Sequence, residues 1–170
     1  MQPKLLIESM TPDDWPEVRR IYEEGIATGT ATFERAAPDW THFDHSHRRE
    51  CRLVARGQPG GAVLGWTALT AYSSRRVYAG VPWESVYVAA SARGQGVGRA
   101  LLEALIPMSE AEGLWTLMAG VQAENRASLA LHEAVGFRRV GVQVAVGRDT
   151  GGNWRDVVLL ERRSTSVGID

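Results

Sequence analysis

The glycine-rich segment Arg93-Gly94-Gln95-Gly96-Val97-Gly98-Arg99 constrains the fold of this chain more than any other feature of the sequence. It follows a β-rich run, Pro82 to Ala89, and it opens a helical pattern with apolar residues at Val97, Leu101, Leu102 and Leu105. Glycines allow several backbone N–H groups to face one point, and the N-terminus of a helix adds partial positive charge. The segment therefore predicts a strand, a tight turn and a helix around an anion site suited to a phosphate or pyrophosphate.

The spacing of the glycines separates this turn from two common nucleotide motifs. It is not G-x-G-x-x-G, which disfavours a dinucleotide site of the Rossmann type, and it lacks the pattern of a P-loop. Arg93 and Arg99 are available for charge-assisted contacts with a bound phosphate. A solvated turn with exposed arginines is the alternative interpretation when the segment is taken alone.

Hydrophobic periodicity and turn residues predict the element order β-α-α-β-β-β-α-β-α-β-β. We expect the first strand from Lys4 to Glu8 and the second helix from Asp39 or Thr41 to about Glu50. Pro107 should kink or break the helix that starts near Gly96, because proline cannot donate a backbone hydrogen bond. This order is typical of an α/β (α+β) domain with a mixed sheet of about six to seven strands and about four helices. We expect a single domain over residues 1–170, with a core at about residues 4–162.

Composition excludes several classes of protein. The 170 residues include 19 basic and 20 acidic side chains, so the net charge of −1 disfavours a nucleic-acid-binding protein. No apolar run approaches the roughly 20 residues that span a bilayer, and the N-terminal apolar stretch is too short for a signal peptide. The single cysteine, Cys51, allows no intrachain disulfide and favours a reducing compartment. We therefore expect a cytoplasmic protein with neither nucleic-acid nor membrane partners.

The helix predicted from Asn125 to Val135 carries two different faces. Positions 127, 130, 131 and 134 are Ala, Ala, Leu and Ala, and we expect them to face the core. Asn125, Ser128 and His132 are three, four and seven residues apart, so they share another face that can line a cleft. The alternative is a solvated polar face on which Asn125 is an ordinary N-cap.

Three groups of residues together resemble the GNAT superfamily of N-acetyltransferases. They are Ser85-Val86-Tyr87-Val88, then Arg93-x-x-Gly96-x-Gly98, then Asn125, Ser128 and His132. Within that superfamily the chain is similar to the group that acetylates phosphinothricin and methionine sulfoximine or sulfone. The matching segments are Ala31-Thr32-Phe33-Glu34, Leu131-His132-Glu133-Ala134-Val135-Gly136-Phe137 and Gly152-Asn153-Trp154-Arg155-Asp156.

The resemblance implies that acetyl-CoA is the co-substrate and that the acceptor is the amine of a small amino-acid-like molecule. The pantetheine arm would pair with the backbone of the strand at Val86, Tyr87 and Val88. The pyrophosphate would bind the turn, and Asn125 and Ser128 would contact the rest of the cofactor. The implied turn residues are Arg93, Gly94, Gln95, Gly96, Val97, Gly98 and Arg99.

Acetyl transfer to an amine needs a group that removes a proton and a group that protonates or stabilises the departing thiolate. The resemblance implies direct attack in a ternary complex, with Glu84 as general base and His132, near the thioester sulfur, as general acid. The related group usually has Glu-x-Ser/Thr-Val-Tyr-Val, whereas here Trp83 holds the glutamate position and Glu84 comes one residue later. Side chains alternate between the faces of a strand, so this step points Glu84 to the other side unless a bulge intervenes. If no bulge restores Glu84 to the site, water or Glu34 would serve as the base.

By the same resemblance, the acceptor would contact residues in two loops and at the start of one strand. They are Phe33, Glu34, Ser73, Ser74, Arg75, Glu84 and Ser85. An arginine fork suits a carboxylate or phosphinate group, and Arg75 with Arg76 argues against a polyamine acceptor. A homodimer is also expected by analogy with the related enzymes.

The residues leave three other interpretations to consider. The cluster His42, Asp44, His45, His47 and Cys51 does not match a common zinc spacing, so we expect a polar helix surface and no metal. A non-catalytic module that binds or senses acyl-CoA would keep the glycine turn without an organised acceptor site, and the Trp83-Glu84 order favours it. An acetyltransferase acting on a protein N-terminus or a polyamine is a further alternative.

Overall fold

The central sheet contains seven strands, and the computed structural model describes residues 5–169. The strands are β1 (Leu6–Ser9), β2 (Leu53–Arg56), β3 (Val63–Ala71), β4 (Pro82–Val88), β5 (Thr116–Gln122), β6 (Arg138–Arg148) and β7 (Trp154–Arg163). The helices are α1 (Trp15–Ala27), α2 (Trp40–Ser46), α3 (Val97–Ala111) and α4 (Arg126–Ala134). Short 3₁₀ turns occur at Pro12–Asp14, Arg76–Tyr78 and Ala90–Ala92. The predicted order of elements and the mixed α/β sheet are confirmed.

The sheet has the strand order β1-β2-β3-β4-β5-β7-β6. Every neighbouring pair is antiparallel except β4 and β5, which are parallel. Within the described chain β4 and β5 are paired only at Trp83 and Met118, near the beginning of both strands. The two strands therefore form a fork that opens toward their C-terminal ends.

Helices cover both faces of the sheet. On one face, Trp66 of β3 stacks on Tyr87 of β4 with 4.8 Å between ring centroids, and Tyr22 of α1 contacts both rings. Phe43 of α2 also packs edge-on against Trp66, so α1 and α2 cover this face. We call it the α1/α2 face.

The opposite face is covered by α3, and we call it the α3/α4 face. A Cβ atom at Gly65 of β3 would lie 2.9 Å from the Val97 side chain and 3.1 Å from that of Leu101. Side chains of directly opposed residues in an antiparallel pair share a face. Because Leu69 opposes Glu84 and Ala68 opposes Ser85, neighbouring residues of β4 project to different faces.

Three predicted boundaries differ from the structure. The first strand is Leu6–Ser9, and Lys4 lies outside the described residues. The second helix ends at Ser46 rather than about Glu50, because His47 is already extended and bridges to Thr70 beside β3. The predicted break at Pro107 is wrong, because α3 continues to Ala111. One lost hydrogen bond is offset there by burial on both sides of the proline, at Leu101, Leu102, Leu105 and Ser109.

Among residues 5–169, none of the helices has the length and apolar character needed to cross a membrane.

Candidate active site in the fork between β4 and β5

A cleft of about 570 Å³ occupies the fork. Its walls come from the loop after α1, from β4, from the glycine-rich turn with α3, from β5 and from α4. The lining residues include Thr28, Thr30, Ala31, Glu84, Ser85, Val86, Tyr87, Val88, Arg93, Gly94, Gly96, Val97, Gly98, Arg99, Gly120, Asn125, Ser128, Leu131 and His132. The fold therefore brings most of the predicted cofactor residues into one cavity.

The glycines of the turn have two different structural roles. Gly94 and Gly96 have φ values of +74° and +81°, a left-handed conformation that costs residues with a side chain roughly 1–2 kcal/mol. No neighbouring atom lies within 4 Å of a Cβ placed at either position in the described chain, so both face open space. Gly98 instead permits close packing, because a Cβ there would lie 2.9 Å from Leu131 Cδ2 of α4. The turn thus exposes backbone to the cleft while α3 and α4 approach each other.

The electrostatics of the turn suit an anion. Its first helical turn, Val97 to Ala100, contains no acidic residue that would offset the partial positive charge of the helix N-terminus. Arg93 is exposed and lines the cleft, and Arg99 also lines it while bonded to Glu103 at 2.7 Å. Gln95 differs from the prediction, because its Nε2 donates to the Ser91 carbonyl at 2.8 Å and it does not line the cleft.

The backbone of β4 presents one edge to the fork. The Ala89 N–H donates to the Leu64 carbonyl at 2.9 Å, so residues at odd positions of β4 direct their backbone groups toward β3. Val86 and Val88 consequently direct their N–H and C=O groups toward β5, beyond the last paired residue, Trp83. Tyr87, which the resemblance implied as part of the strand edge for the pantetheine arm, instead directs its backbone groups toward β3, and its ring packs against Trp66 and Tyr22.

Helix α4 is oriented differently from the prediction. The buried residues are Leu129 and His132, whereas the alanines at 127, 130 and 134 are exposed and Leu131 is half-buried. The predicted alanine stripe is wrong because the helix leans against β4 through His132 and against the core through Leu129. Asn125 caps the helix by accepting from the Ser128 N–H at 3.1 Å, and its amide donates to the Thr30 carbonyl at 3.4 Å. Asn125 therefore both caps α4 and lines the cleft.

Glu84 and His132 form a buried pair beside the cleft. Glu84 Oε1 is hydrogen-bonded to His132 Nε2, and each side chain is only 2% exposed. His132 Nδ1 lies 2.7 Å from the Ser128 carbonyl oxygen. A carbonyl can only accept, so Nδ1 carries a proton and the Nε2–Oε1 contact shares a second one. Within residues 5–169 the other carboxylate oxygen, Oε2, is buried without a hydrogen-bond partner.

The charge state of this pair follows from its surroundings. Burial by itself lowers the pKa of an imidazole, but the charge and hydrogen bond of Glu84 outweigh it. The Ser128 carbonyl acts in the same direction, so the pKa of His132 is raised above its ordinary value of 6.5. His132 therefore keeps its second proton to a higher pH than a free imidazole would.

We expect this pair to make stability depend on pH. Since the folded-state pKa of His132 is raised, its contribution is fully present below about pH 6.5 and is lost as the pH rises through the raised value. The free energy of unfolding should decrease over that interval, by at most about 1.4 kcal/mol per pH unit for one proton. Denaturant titrations at several pH values should show this decrease of the unfolding free energy with pH in the wild type. The decrease should be weaker in Glu84→Gln. The exposed-site variant His45→Gln should keep the wild-type slope, and equal slopes in all three proteins would contradict the assignment.

The predicted acceptor residues are only partly brought to the cleft. Ser85 lines it on the α1/α2 face. Phe33 is placed over β6, where a Cβ at Gly147 would lie 2.8 Å from its ring, and Glu34 is exposed in the same loop. Ser73, Ser74 and Arg75 belong to the loop after β3, beyond the narrow end of the fork. Neither of these loop groups lines the cleft itself.

Sequence reasoning missed Thr28, Thr30 and Gly120 as lining residues. The two threonines follow α1 without forming a motif of their own, and Thr30 reaches the cleft through its contact with Asn125. Gly120 lies in the middle of β5, where an exposed glycine interrupts a buried apolar strand. Such an interruption is a signal of close approach by a ligand or another backbone, and it could have indicated the site.

The histidine-rich segment around α2 is built into the surface. Asp44 Oδ1 binds Arg52 Nη1 at 2.7 Å, which occupies the carboxylate of the cluster. Burial lowers the pKa of His47 to about 4 and raises that of the Cys51 thiol to about 11. Over residues 5–169 no three His, Cys, Asp or Glu side chains converge as metal ligands would.

The fold and the cleft together define a class of α/β proteins with an open cleft between two parallel strands and a glycine-rich turn at the start of the neighbouring helix. The model of the acetyltransferase (GNAT) family matches residues 12–137, and the chain belongs to this family. The resemblance seen in the sequence is thereby confirmed. Curated relatives of the chain are named as acetyltransferases.

Curated relatives and a solved structure refine the comparison. The chain is 40% identical over 158 residues to a phosphinothricin N-acetyltransferase of Alcaligenes faecalis, covering 88% of this chain and 78% of the relative. It is 30% identical over 152 residues to an L-methionine sulfoximine/L-methionine sulfone acetyltransferase of Pseudomonas aeruginosa, covering 87% and 88%. A phosphinothricin acetyltransferase of Sinorhizobium meliloti, solved in complex with AcCoA, superposes with a TM-score of 0.87 at 27% identity, over 100% of this chain and 92% of that one.

Proposed function

We propose that this protein transfers the acetyl group of acetyl-CoA to the α-amine of a small amino-acid-like acceptor of the phosphinothricin, methionine sulfoximine or methionine sulfone type. The observation that carries the proposal is one continuous cleft joining the glycine turn to the buried Glu84–His132 pair. The names of the curated relatives support the acceptor class. The acetyl-CoA complex of the Sinorhizobium relative supports the co-substrate.

The residues of the cleft fit acetyl-CoA, which supplies the acetyl group as an activated thioester. The turn from Arg93 to Arg99 would hold the pyrophosphate through backbone N–H groups and the two arginines. The free backbone edge at Val86 and Val88 would pair with the amides of the pantetheine arm, as an added strand pairs with a sheet edge. Asn125 and Ser128 would contact the same arm from α4.

The Glu84–His132 pair would manage the proton of the reaction. In this proposal Glu84 receives a proton released from the acceptor amine, directly or through water, at the unpartnered Oε2 atom. His132 holds the proton shared with Oε1 and, as an imidazolium, is the general acid for the departing thiolate. Since His132 Nε2 is already bonded to Glu84, its proton reaches the thiolate through that carboxyl group or by rotation of the pair.

The assay that tests the proposal measures the free thiol released from acetyl-CoA with a thiol reagent. Phosphinothricin, methionine sulfone, methionine sulfoximine, ordinary amino acids, polyamines and short peptides with a free N-terminus would be supplied separately. We expect release that depends on an amino-acid-like acceptor, with the acetylated product identified by mass spectrometry. Binding of acetyl-CoA with no release from any amine would favour the acyl-CoA-binding module instead, and absence of binding would refute both.

We also propose that the protein is a homodimer that joins through β6. This strand forms one edge of the sheet, and Val140, Val142, Val144 and Val146 are 48–77% exposed along it. An exposed apolar edge strand is a template for pairing with another chain, and a two-fold axis would pair it with its own copy.

The cytoplasm remains the expected location, because Cys51 is a buried free thiol.

Charge introduced on β6 is expected to separate the two protomers. The double variant Val142→Lys/Val144→Lys should sediment with the mass of one 18.6 kDa chain, whereas the wild type should show twice that mass. Val77→Lys, at a 64% exposed position in the turn after β3, is the matched control and should leave the mass unchanged. A wild-type protein that sediments as a monomer at all concentrations would contradict the dimer.

A further inference from the structure

Trp83 occupies a distinctive position at the base of the fork. It is the residue of β4 that pairs with β5, and the cleft opens directly after it. Trp83 opposes Thr70 of β3, and Ser85 opposes Ala68, so both side chains lie on the α1/α2 face. Glu84 between them projects to the α3/α4 face, where it meets His132. A molecule that approaches the fork from the α1/α2 face therefore meets Trp83 and Ser85 first.

The Trp83 ring lies next to one lining residue of the cleft. A Cβ atom at Gly120 of β5 would lie 3.9 Å from Trp83 Cζ3, and Gly120 itself lines the cleft and is exposed. The absence of a side chain at this position leaves the face of β5 beside the indole uncovered. The indole thus flanks the cleft beside Gly120 on the α1/α2 face.

Two tyrosines extend this aromatic surface away from the fork. Tyr72 lies 5.4 Å from Trp83 and 5.5 Å from Tyr78 between ring centroids, and the two tyrosines remain 40% and 37% exposed. The Arg75 guanidinium lies 5.5 Å above the Tyr78 ring, which holds the loop after β3 against the wall. We call Tyr72, Tyr78 and Trp83 the aromatic wall. Rings that are partly buried against each other, yet still partly exposed, are suited to contact with an apolar group.

We propose that the aromatic wall binds the side chain of the acceptor. The protein would therefore select amino acids with a large apolar side chain, above all an aromatic one. The inference rests on the acetyl transfer of the proposed function and, among amino-acid-like acceptors, replaces the phosphinothricin type with amino acids that have an apolar side chain. An acceptor whose amine enters the fork from the α1/α2 face would have its side chain beside Ser85, which lines the cleft, and Trp83, which lies next to it on that face. A benzyl or indolylmethyl group would bury apolar area against the rings, which the small polar phosphinate group cannot do.

Steady-state kinetics with L-phenylalanine, L-tryptophan, methionine sulfone and phosphinothricin test this selection. For the wild type, we expect kcat/KM for L-phenylalanine to exceed that for phosphinothricin by at least about tenfold. Trp83→Ala should lower the value for L-phenylalanine by about tenfold or more, mainly through KM, with little change for phosphinothricin. Trp83→Phe should restore most of the loss. Val77→Ala, at an exposed residue of the turn Arg76–Tyr78, should behave as the wild type.

A binding measurement separates this proposal from the catalytic one. Calorimetric titration of N-acetyl-L-phenylalanine, the product, into the protein saturated with CoA should give a Kd that Trp83→Ala weakens by about tenfold. If no amine supports thiol release but this Trp83-dependent binding occurs, the acceptor site stands and the proposed catalysis fails. Equal kcat/KM for all four acceptors in the wild type, or an equal loss for all four in Trp83→Ala, would overturn the proposal.

Discussion

Replacing Glu84 with glutamine is expected to lower kcat by about 10²- to 10⁴-fold, the range usual for loss of a general base. The affinity for acetyl-CoA should change little, because the turn and the β4 edge that would hold it are untouched. Glutamine preserves the size of the side chain and can still accept from His132 Nε2 through its amide oxygen, so the α4–β4 contact should persist. What the variant loses is the negative charge and the basic Oε2 atom.

The pH profile separates a catalytic role for Glu84 from a structural one. In the wild type, kcat should fall as the pH rises through the raised pKa of His132, because the imidazolium is lost. In Glu84→Gln that alkaline limb should move to lower pH, since the carboxylate that raises the pKa is gone. A variant that merely packed badly would lose activity without such a shift.

Glu112→Gln is the matched control for this experiment. Glu112 is exposed at the C-terminal end of α3, at the opposite end of that helix from the cleft. It should keep the wild-type kcat and pH profile. Retention of wild-type kcat by Glu84→Gln would remove the carboxylate from the mechanism, and water or a residue outside the pair would then have to accept the proton.

Replacing Gly96 with alanine is expected to weaken CoA binding by about tenfold or more, the equivalent of one lost charge-assisted hydrogen bond. The φ of +81° at Gly96 directs the following N–H groups of α3 toward the cleft. A methyl group disfavours this conformation and occupies the open space beside the turn. Isothermal titration with CoA measures the change.

Gly113→Ala provides a control with the same backbone strain. Gly113 has a φ of +74° at the other end of α3 and also faces open space in the described chain. Both variants should lose roughly 1–2 kcal/mol of unfolding free energy, because both place a Cβ in the left-handed region. Only Gly96→Ala should lose affinity for CoA, and equal Kd values in the two variants would refute the anion site at the turn.

Much of the fold could be predicted because its signals are local. The glycine turn, the hydrophobic periodicity of the helices and the turn residues between strands each depend on a few adjacent residues. Pro107 shows where a local rule failed, since α3 is buried on both sides of it and tolerates one missing hydrogen bond. The end of α2 failed similarly, because His47 is drawn into a bridge with Thr70 that lies far along the chain.

The site was predictable in its parts and not in its arrangement. Alternation along β4 correctly placed Glu84 on the face opposite to Trp83 and Ser85. Nothing in that strand indicated that His132 lies on the same face, since the polar pattern of α4 also fits a solvated helix. The spacing of apolar alanine and leucine residues on α4 predicts a stripe that faces the core. In the structure, packing buries His132 in place of that stripe.

By itself, the sequence determined the order of elements, the glycine-rich turn and the membership in an acetyltransferase family, because each depends on neighbouring residues and their spacing. Only the tertiary structure decided that β4 and β5 separate after Trp83, that Val86 and Val88 present the free backbone edge, and that Glu84 meets His132. Glu84 and His132 are 48 residues apart in the chain. Their contact depends on how α4 packs against the sheet, which is a sum of many weak interactions that no short stretch of sequence contains.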